Sequence, residues 1–178
     1  LPTIVRGFDV DANNKVTSGV GINWPQANTS LTGAVKRIED CVVHHVASRS
    51  GQGQYEYGVI VSSGYGGGKT VKNVEVLGCV VHDISRGGIN VYSANDDPKS
   101  TIKDVVVRGC SIYNTGQDPK YGGSALTAKN HVSNVTFEFN HVRDTKLGGG
   151  VGISSHNSSF RGPEGVVVRH NIIRGCQS

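Results

Sequence analysis

Val74–Ser93, VEVLGCVVHDISRGGINVYS, is the stretch that recurs through the chain. Its frame is an apolar residue three positions before Cys79 (Val76), another two after it (Val81), a third five after it (Ile84), and a glycine-led alternating run, Gly88-Ile89-Asn90-Val91. With Cys79 as anchor, the equivalent positions are Phe8, Cys41, Cys110, Asn140 and Asn171, at intervals of 30 to 38 residues. Self-similarity at such a period, with insertions of variable length, marks a repeat architecture. Three positions before the six anchors lie Val5, Ile38, Val76, Val107, Phe137 and Val168; two positions after them lie Val10, Val43, Val81, Ile112, Val142 and Ile173. Every one is apolar.

The second half of each repeat is as regular. After a glycine come Val20/Ile22/Trp24, Val59/Val61/Ser63, Ile89/Val91/Ser93, Ser124/Leu126/Ala128 and Val151/Ile153/Ser155. Period-two spacing places each set on one face of a strand, and no segment carries a helical stripe. A rung this thin cannot bury its apolar face alone, so rungs stack. The expectation is an all-β fold: one parallel β-solenoid domain over residues 1–178, with five to six coils. The chain starts inside one coil and stops inside another, whereas solenoids are normally capped at both ends. It is therefore expected to be a fragment of a longer protein, without complete caps, and exposed end coils would favour end-to-end self-association through unpaired strand edges.

Composition agrees with a turn-rich chain: 25 of 178 residues are Gly, Met is absent and there is one Trp. The net charge of +4 makes a mildly basic surface, which suits an acidic partner. The 18 Lys and Arg are scattered without interleaved aromatics, which sets nucleic acid aside. No stretch approaches the length of a membrane span. Gly66-Gly67-Gly68-Lys69-Thr70 lacks the first glycine of a phosphate loop and precedes a strand rather than a helix, so nucleotide binding is excluded too. Cys41, Cys79 and Cys110 would stack at the ~4.8 Å spacing of neighbouring strands. Parallel Cβ vectors at that spacing keep the Cβ atoms farther apart than a disulfide wants, about 3.8 Å, and point to buried free thiols.

The pattern V-x-V-x-x-N/C-x-V/I-x-[ND], a loop, then G-[IV]-x-V resembles the right-handed parallel β-helix repeat of pectate-lyase-like proteins, over nearly the whole chain from Thr3 to Cys176. That resemblance implies a right-handed β-helix, a polysaccharide partner and an extracellular or periplasmic location. In that family the anchor carries stacked inward Asn side chains in a hydrogen-bonded ladder. Asn140 and Asn171 fit it, whereas the three cysteines depart from it. The same repeat serves lyases, hydrolases, tailspikes and adhesins, so it speaks for the fold more than for the activity.

The resemblance also implies a substrate groove along the sheet of glycine-led strands. The outward row there is expected to be Asn23, Ser62, Tyr92, Thr127 and Ser154, with Lys129 and His156 just past the strand ends in equivalent positions. Tyr92, Lys129 and His156 would share a patch roughly 10 Å long, the span of two or three sugar units. Asn90, Lys99, Tyr121 and Trp24 are the candidate substrate-binding residues, Trp24 reading also, and by preference, as a packing residue that caps the core at its strand end. A lyase must neutralise a uronate carboxylate and remove the neighbouring carbon-bound proton, work for a Lys or Arg or a held Ca²⁺ and for a basic side chain. A glycoside hydrolase needs two carboxylates at a set spacing, and the sheet carries none. β-Elimination is thus the preferred chemistry, with Lys129 or His156 as base, Tyr92 as proton donor and Asp96 and Asp97 as cation ligands. The alternative is a non-catalytic β-helix stem or a carbohydrate-binding segment. A second column, His44, His82, Tyr113, Arg143 and Arg174 flanked by His45, Asp83, Asn114 and Asp144, reads either as a transition-metal site or as an ordinary polar face.

Overall fold

A computed structural model describes residues 3–14, 34–47, 56–63, 68–93, 100–155 and 161–177, and the backbone of 18–23. The first coil holds β1 (Thr3–Arg6), β2 (Asp9–Asp11) and β3 (Ser18–Asn23); the second β4 (Lys36–Glu39), β5 (Val42–Val46) and β6 (Tyr57–Ser62). The third holds β7 (Thr70–Leu77), β8 (Val80–Ile84) and β9 (Gly87–Tyr92), and the fourth β10 (Thr101–Arg108), β11 (Ser111–Thr115) and β12 (Leu126–Lys129). The fifth holds β13 (Val132–Glu138), β14 (His141–Thr145) and β15 (Val151–Ser154); β16 (Val167–Arg169) and β17 (Ile172–Arg174) follow. Each strand pairs in parallel with its counterpart one coil away, giving sheet A (β1-β4-β7-β10-β13-β16), sheet B (β2-β5-β8-β11-β14-β17) and sheet C (β3-β6-β9-β12-β15). The chain is an all-β parallel solenoid. It makes about four turns, slightly fewer than the five to six expected; among the described residues the last coil supplies only β16 and β17, and the first coil's β3 is described in its backbone alone.

The twelve apolar frame positions fall in register. Val5, Ile38, Val76, Val107, Phe137 and Val168 are successive partners in sheet A. Val10, Val43, Val81, Ile112, Val142 and Ile173 are successive partners in sheet B. In the middle coils they are fully buried, forming with the inward residues of sheet C one continuous core. The anchors line up as well: the carbonyls of Phe8, Cys41, Cys79, Cys110 and Asn140 each accept the N–H of the residue after the next coil's anchor, at 2.8–2.9 Å.

Backbone kinks turn the chain between sheets. The residue before the anchor lies in the left-handed region at Gly7, Asp40, Gly78, Gly109, Phe139 and His170, with φ from 52° to 70°. A second left-handed row, His45, Asp83, Asn114, Asp144 and Gly175, interrupts or ends the sheet B strands. Asn, Asp, His and Gly reach this conformation most readily, which explains the polar residue four after Cys41, Cys79, Cys110 and Asn140 and the glycine four after Asn171. A third row, Asn73, Asp104 and Asn134, breaks period two within sheet A, so that Val71 and Val74, three apart, both point inward.

The glycine that leads each sheet C strand answers to space. A Cβ on Gly58, Gly88 or Gly150 would run into Val81 Cγ1, Ile112 Cγ2 or Ile173 Cγ2, core side chains crossing from the next coil of sheet B. Ala125 takes that place in the fourth coil, and here the expected alignment shifts by two residues. Leu126 pairs with Ile89 and Ala128 with Val91, so the inward position of Ser93 is matched by Asn130 rather than Ala128. Gly122 and Gly123 mimic the leading glycine in sequence only. The Asn130 side-chain amide donates to the Ser93 carbonyl at 3.0 Å and closes that row inside.

Ion pairs form ladders from coil to coil. Glu138 takes Arg108 Nε at 2.7 Å and Arg169 Nε at 2.7 Å, one from each flanking coil, and Arg37 Nε donates to Glu75 at 2.6 Å. The guanidiniums of Arg169 and Arg108 hold the Glu138 carboxyl below the usual range. All four cysteines are free thiols, three of them buried.

Candidate functional site

Sheet C presents two outward rows. Register places Ser62, Tyr92, Lys129 and Ser154 in one, continuous with Asn23, and Ile60, Asn90, Thr127 and Gly152 in the other. Lys129, rather than Thr127, is thus the lateral neighbour of Tyr92, and Lys129 pairs with Ser154 rather than with His156. The two-residue shift of β12 produces both changes. It sets the base candidate Lys129 directly opposite the proton-donor candidate Tyr92 on neighbouring strands.

The row is less open than its outward direction implies. Asn90 is 2% exposed and Tyr92 8% exposed, so β9 is buried on both faces, while Lys129 is half-buried. Burial, followed by the positive charge of Arg86, lowers the Lys129 pKa from the ordinary lysine value. Arg86 stands on the turn from β8 into β9, its guanidinium 5.3 Å from the Tyr57 ring centre, a cation–π distance. Asn90 Oδ1 is buried with no hydrogen-bond partner.

Tyr121 lies on the loop entering β12, where Asp118 accepts the N–H groups of Lys120 at 2.7 Å and Tyr121 at 2.9 Å. Lys120 Nζ sits 4.9 Å from the centre of the Tyr121 ring. This loop lies at the entry end of the strand and Lys129 at its exit. His156, Lys99, Trp24, Asp96 and Asp97 lie outside the described residues. Arg86 was missed in the sequence, although an arginine directly before a glycine-led strand is a readable signal.

The outer face of sheet B carries the second column. His44 and His82 stack with centroids 5.0 Å apart and planes within 4°; His82 and Tyr113 stack at 4.7 Å, and the Arg143 guanidinium lies 4.1 Å from the Tyr113 ring centre. His82 Nδ1 lies 2.7 Å from Asp83 Oδ2, and the Asn114 side-chain amide donates to the other oxygen. Burial pushes the Asp83 carboxyl up, but these bonds from His82 and Asn114 outweigh it and hold the pKa down. Parallel stacking keeps the His44 and His82 rings from converging on one point. His45 converges instead, because its left-handed backbone, φ 54°, turns its side chain to the same face as its neighbour. His44 Nδ1 and His45 Nδ1 stand 2.7 Å apart.

No family model, curated protein or solved structure matches this chain. Among the described residues no helix is long and apolar enough to cross a membrane.

Proposed function

We propose that the solenoid takes a uronate polymer along the outer face of sheet C and cleaves it by β-elimination, as the resemblance to pectate-lyase-like repeats implies. The supporting observation is Lys129, half-buried beside Tyr92 and within the field of Arg86. Neutral Lys129 amine removes the proton from the carbon next to the uronate carboxylate. The freed electron pair forms the new carbon–carbon double bond as the glycosidic C–O bond breaks, and the leaving oxygen takes a proton from the Tyr92 hydroxyl. Arg86 offsets the carboxylate charge. The strands of sheet C carry no acidic residue, which disfavours a paired-carboxylate hydrolase. Asp96 and Asp97 remain the candidates for holding Ca²⁺.

Incubation with a panel of uronate polymers, with and without Ca²⁺, should produce the ultraviolet absorbance of unsaturated ends. Lys129→Met should lower kcat about 10²- to 10⁴-fold, the usual contribution of a general base. Because the neutral amine is the active form, the rate should rise with pH through the lowered Lys129 pKa, below the ordinary lysine range. Reducing sugar without that absorbance would replace elimination by hydrolysis.

The burial of Asn90 and Tyr92 favours a second reading, a non-catalytic carbohydrate-binding segment or stem. Polymer retention on an affinity gel without any cleavage product would support it.

A further inference from the structure

We propose that Asp11, His44 and His45, on the outer face of sheet B, form a binding site for a divalent transition ion of the zinc class. The three side chains come from adjacent coils, Asp11 pairing with His44 across β2 and β5. Their donor atoms lie within 4.8 Å of one another. His44 Nδ1 is 2.7 Å from His45 Nδ1, His45 Nδ1 is 3.2 Å from Asp11 Oδ1, and His44 Nδ1 is 3.8 Å from the same oxygen. Ligands at the usual Zn–N distance of ~2.0–2.1 Å stand roughly 3.3 Å apart in a tetrahedron. The triangle brackets that value, so an ion could enter with shifts of a few tenths of an ångström.

The outer partners point the same way. His44 Nε2 faces Asp9 Oδ1 at 3.0 Å, and His45 Nε2 faces Asp83 Oδ2 at 3.8 Å. A ring N–H given to a carboxylate leaves the other nitrogen as a bare lone pair, the arrangement that orients histidine toward a metal. With the His44 Nε2–H given to Asp9, the His44 Nδ1 lone pair stands beside His45 Nδ1 and the Asp11 carboxylate oxygen. Asp11 Oδ1 also accepts the Asn13 N–H at 2.8 Å, which fixes its direction and, before the nearby histidines, lowers its pKa. Two nitrogens and one oxygen suit zinc or another late first-row ion better than Mg²⁺ or Ca²⁺, which prefer all-oxygen shells. Three protein ligands leave positions open to water or a ligand.

The site is tested by calorimetric titration of Zn²⁺ into the full chain carrying Cys176→Ser, so that the one incompletely buried thiol does not compete. One equivalent should bind, with Mg²⁺ and Ca²⁺ silent. His45→Asn, which keeps the left-handed backbone accessible, should weaken binding at least about 100-fold, and Asp9→Asn, acting through His44, about 10- to 100-fold. Circular dichroism of each variant reports whether the solenoid is intact. Absence of saturable binding to the folded chain would overturn the proposal, as would stoichiometric binding that persists unchanged in folded His44→Gln/His45→Asn.

Discussion

The anchor column is built in two chemistries. In the fourth to sixth coils it is an amide ladder. Asn140 Oδ1 accepts the Cys110 N–H at 2.9 Å and Asn171 Oδ1 accepts the Asn140 N–H at 2.9 Å, while their Nδ2 groups donate to the Val107 carbonyl at 3.0 Å and the Phe137 carbonyl at 2.8 Å. In the second to fourth coils sulfur takes the same places. Cys41, Cys79 and Cys110 Sγ lie 3.7–3.8 Å from the equivalent carbonyls of Val5, Ile38 and Val76. The N–H groups of Cys41 and Cys79 bear on the sulfurs of Cys79 and Cys110. A thiol is a weak donor and a weak acceptor, so the fold in these coils rests more on apolar packing than on polar pairing. The comparison teaches that the solenoid asks for a small inward side chain at this turn, and that the hydrogen-bonded ladder is one of two ways to supply it.

The sharpest way to break the contrast is Asn140→Leu. It leaves the Cys110 N–H and the Val107 carbonyl without their amide partner inside the stack, at about 1–3 kcal/mol for each buried group left unpaired. Chemical denaturation should show that loss as a lower midpoint. Cys79→Ala removes a sulfur whose hydrogen bonds, to the Leu77 carbonyl at 3.4 Å and the Ile38 carbonyl at 3.8 Å among them, are weak, and should cost about 1 kcal/mol, near the worth of one buried methylene-sized group. Cys79→Asn places an amide beside the Ile38 carbonyl and the Cys41 N–H, a rung separated from the Asn140–Asn171 ladder by Cys110, and should cost less than Cys79→Ala in the same experiment; a greater loss would mean that the turn at Cys79 has no room for the amide.

Two smaller effects sharpen it. The Cys110 thiol bonds to the Cys79 sulfur and burial adds to that, raising the Cys110 pKa. In the native chain only Cys176 should react promptly with a thiol reagent, and all four cysteines should react after unfolding. The Asn-bearing coils also hold the Glu138 clamp. Because Glu138 is held below its ordinary value by Arg169 and Arg108, its contribution is full above the unfolded glutamate pKa of 4.5 and is lost as pH falls through the lowered folded value. Glu138→Gln should flatten the acid limb of the stability profile, measured by thermal melts across that range.

Much of this was legible in the chain. Val76, Val107 and Phe137 announce sheet A, and Val81, Ile112 and Val142 sheet B, because an inward position repeated in every coil tolerates only apolar side chains. Arg108, Glu138 and Arg169 announce their ladder by alternating sign. The candidate site was legible in its parts and not in its assembly. Lys129 and Tyr92 were identified but set one row out of line, since Gly122-Gly123 imitates a strand-leading glycine whose real counterpart is Ala125. Arg86 was missed because attention to the periodic strand positions passed over the turn residue directly before Gly87. The burial of Asn90 and Tyr92 could not be read, because an outward direction on a strand says nothing about what covers it.

The sequence alone determined the all-β class, the stacking of rungs near thirty residues long, and which side chains enter the core, because strand periodicity and repeat spacing are local properties. Only the tertiary structure decided the register of β12, the pairing of Lys129 with Tyr92, and the meeting of His44 with His45 and Asp11. Those depend on contacts between coils and on left-handed kinks that redirect single side chains. A periodic pattern specifies faces; neighbours across the stack specify partners.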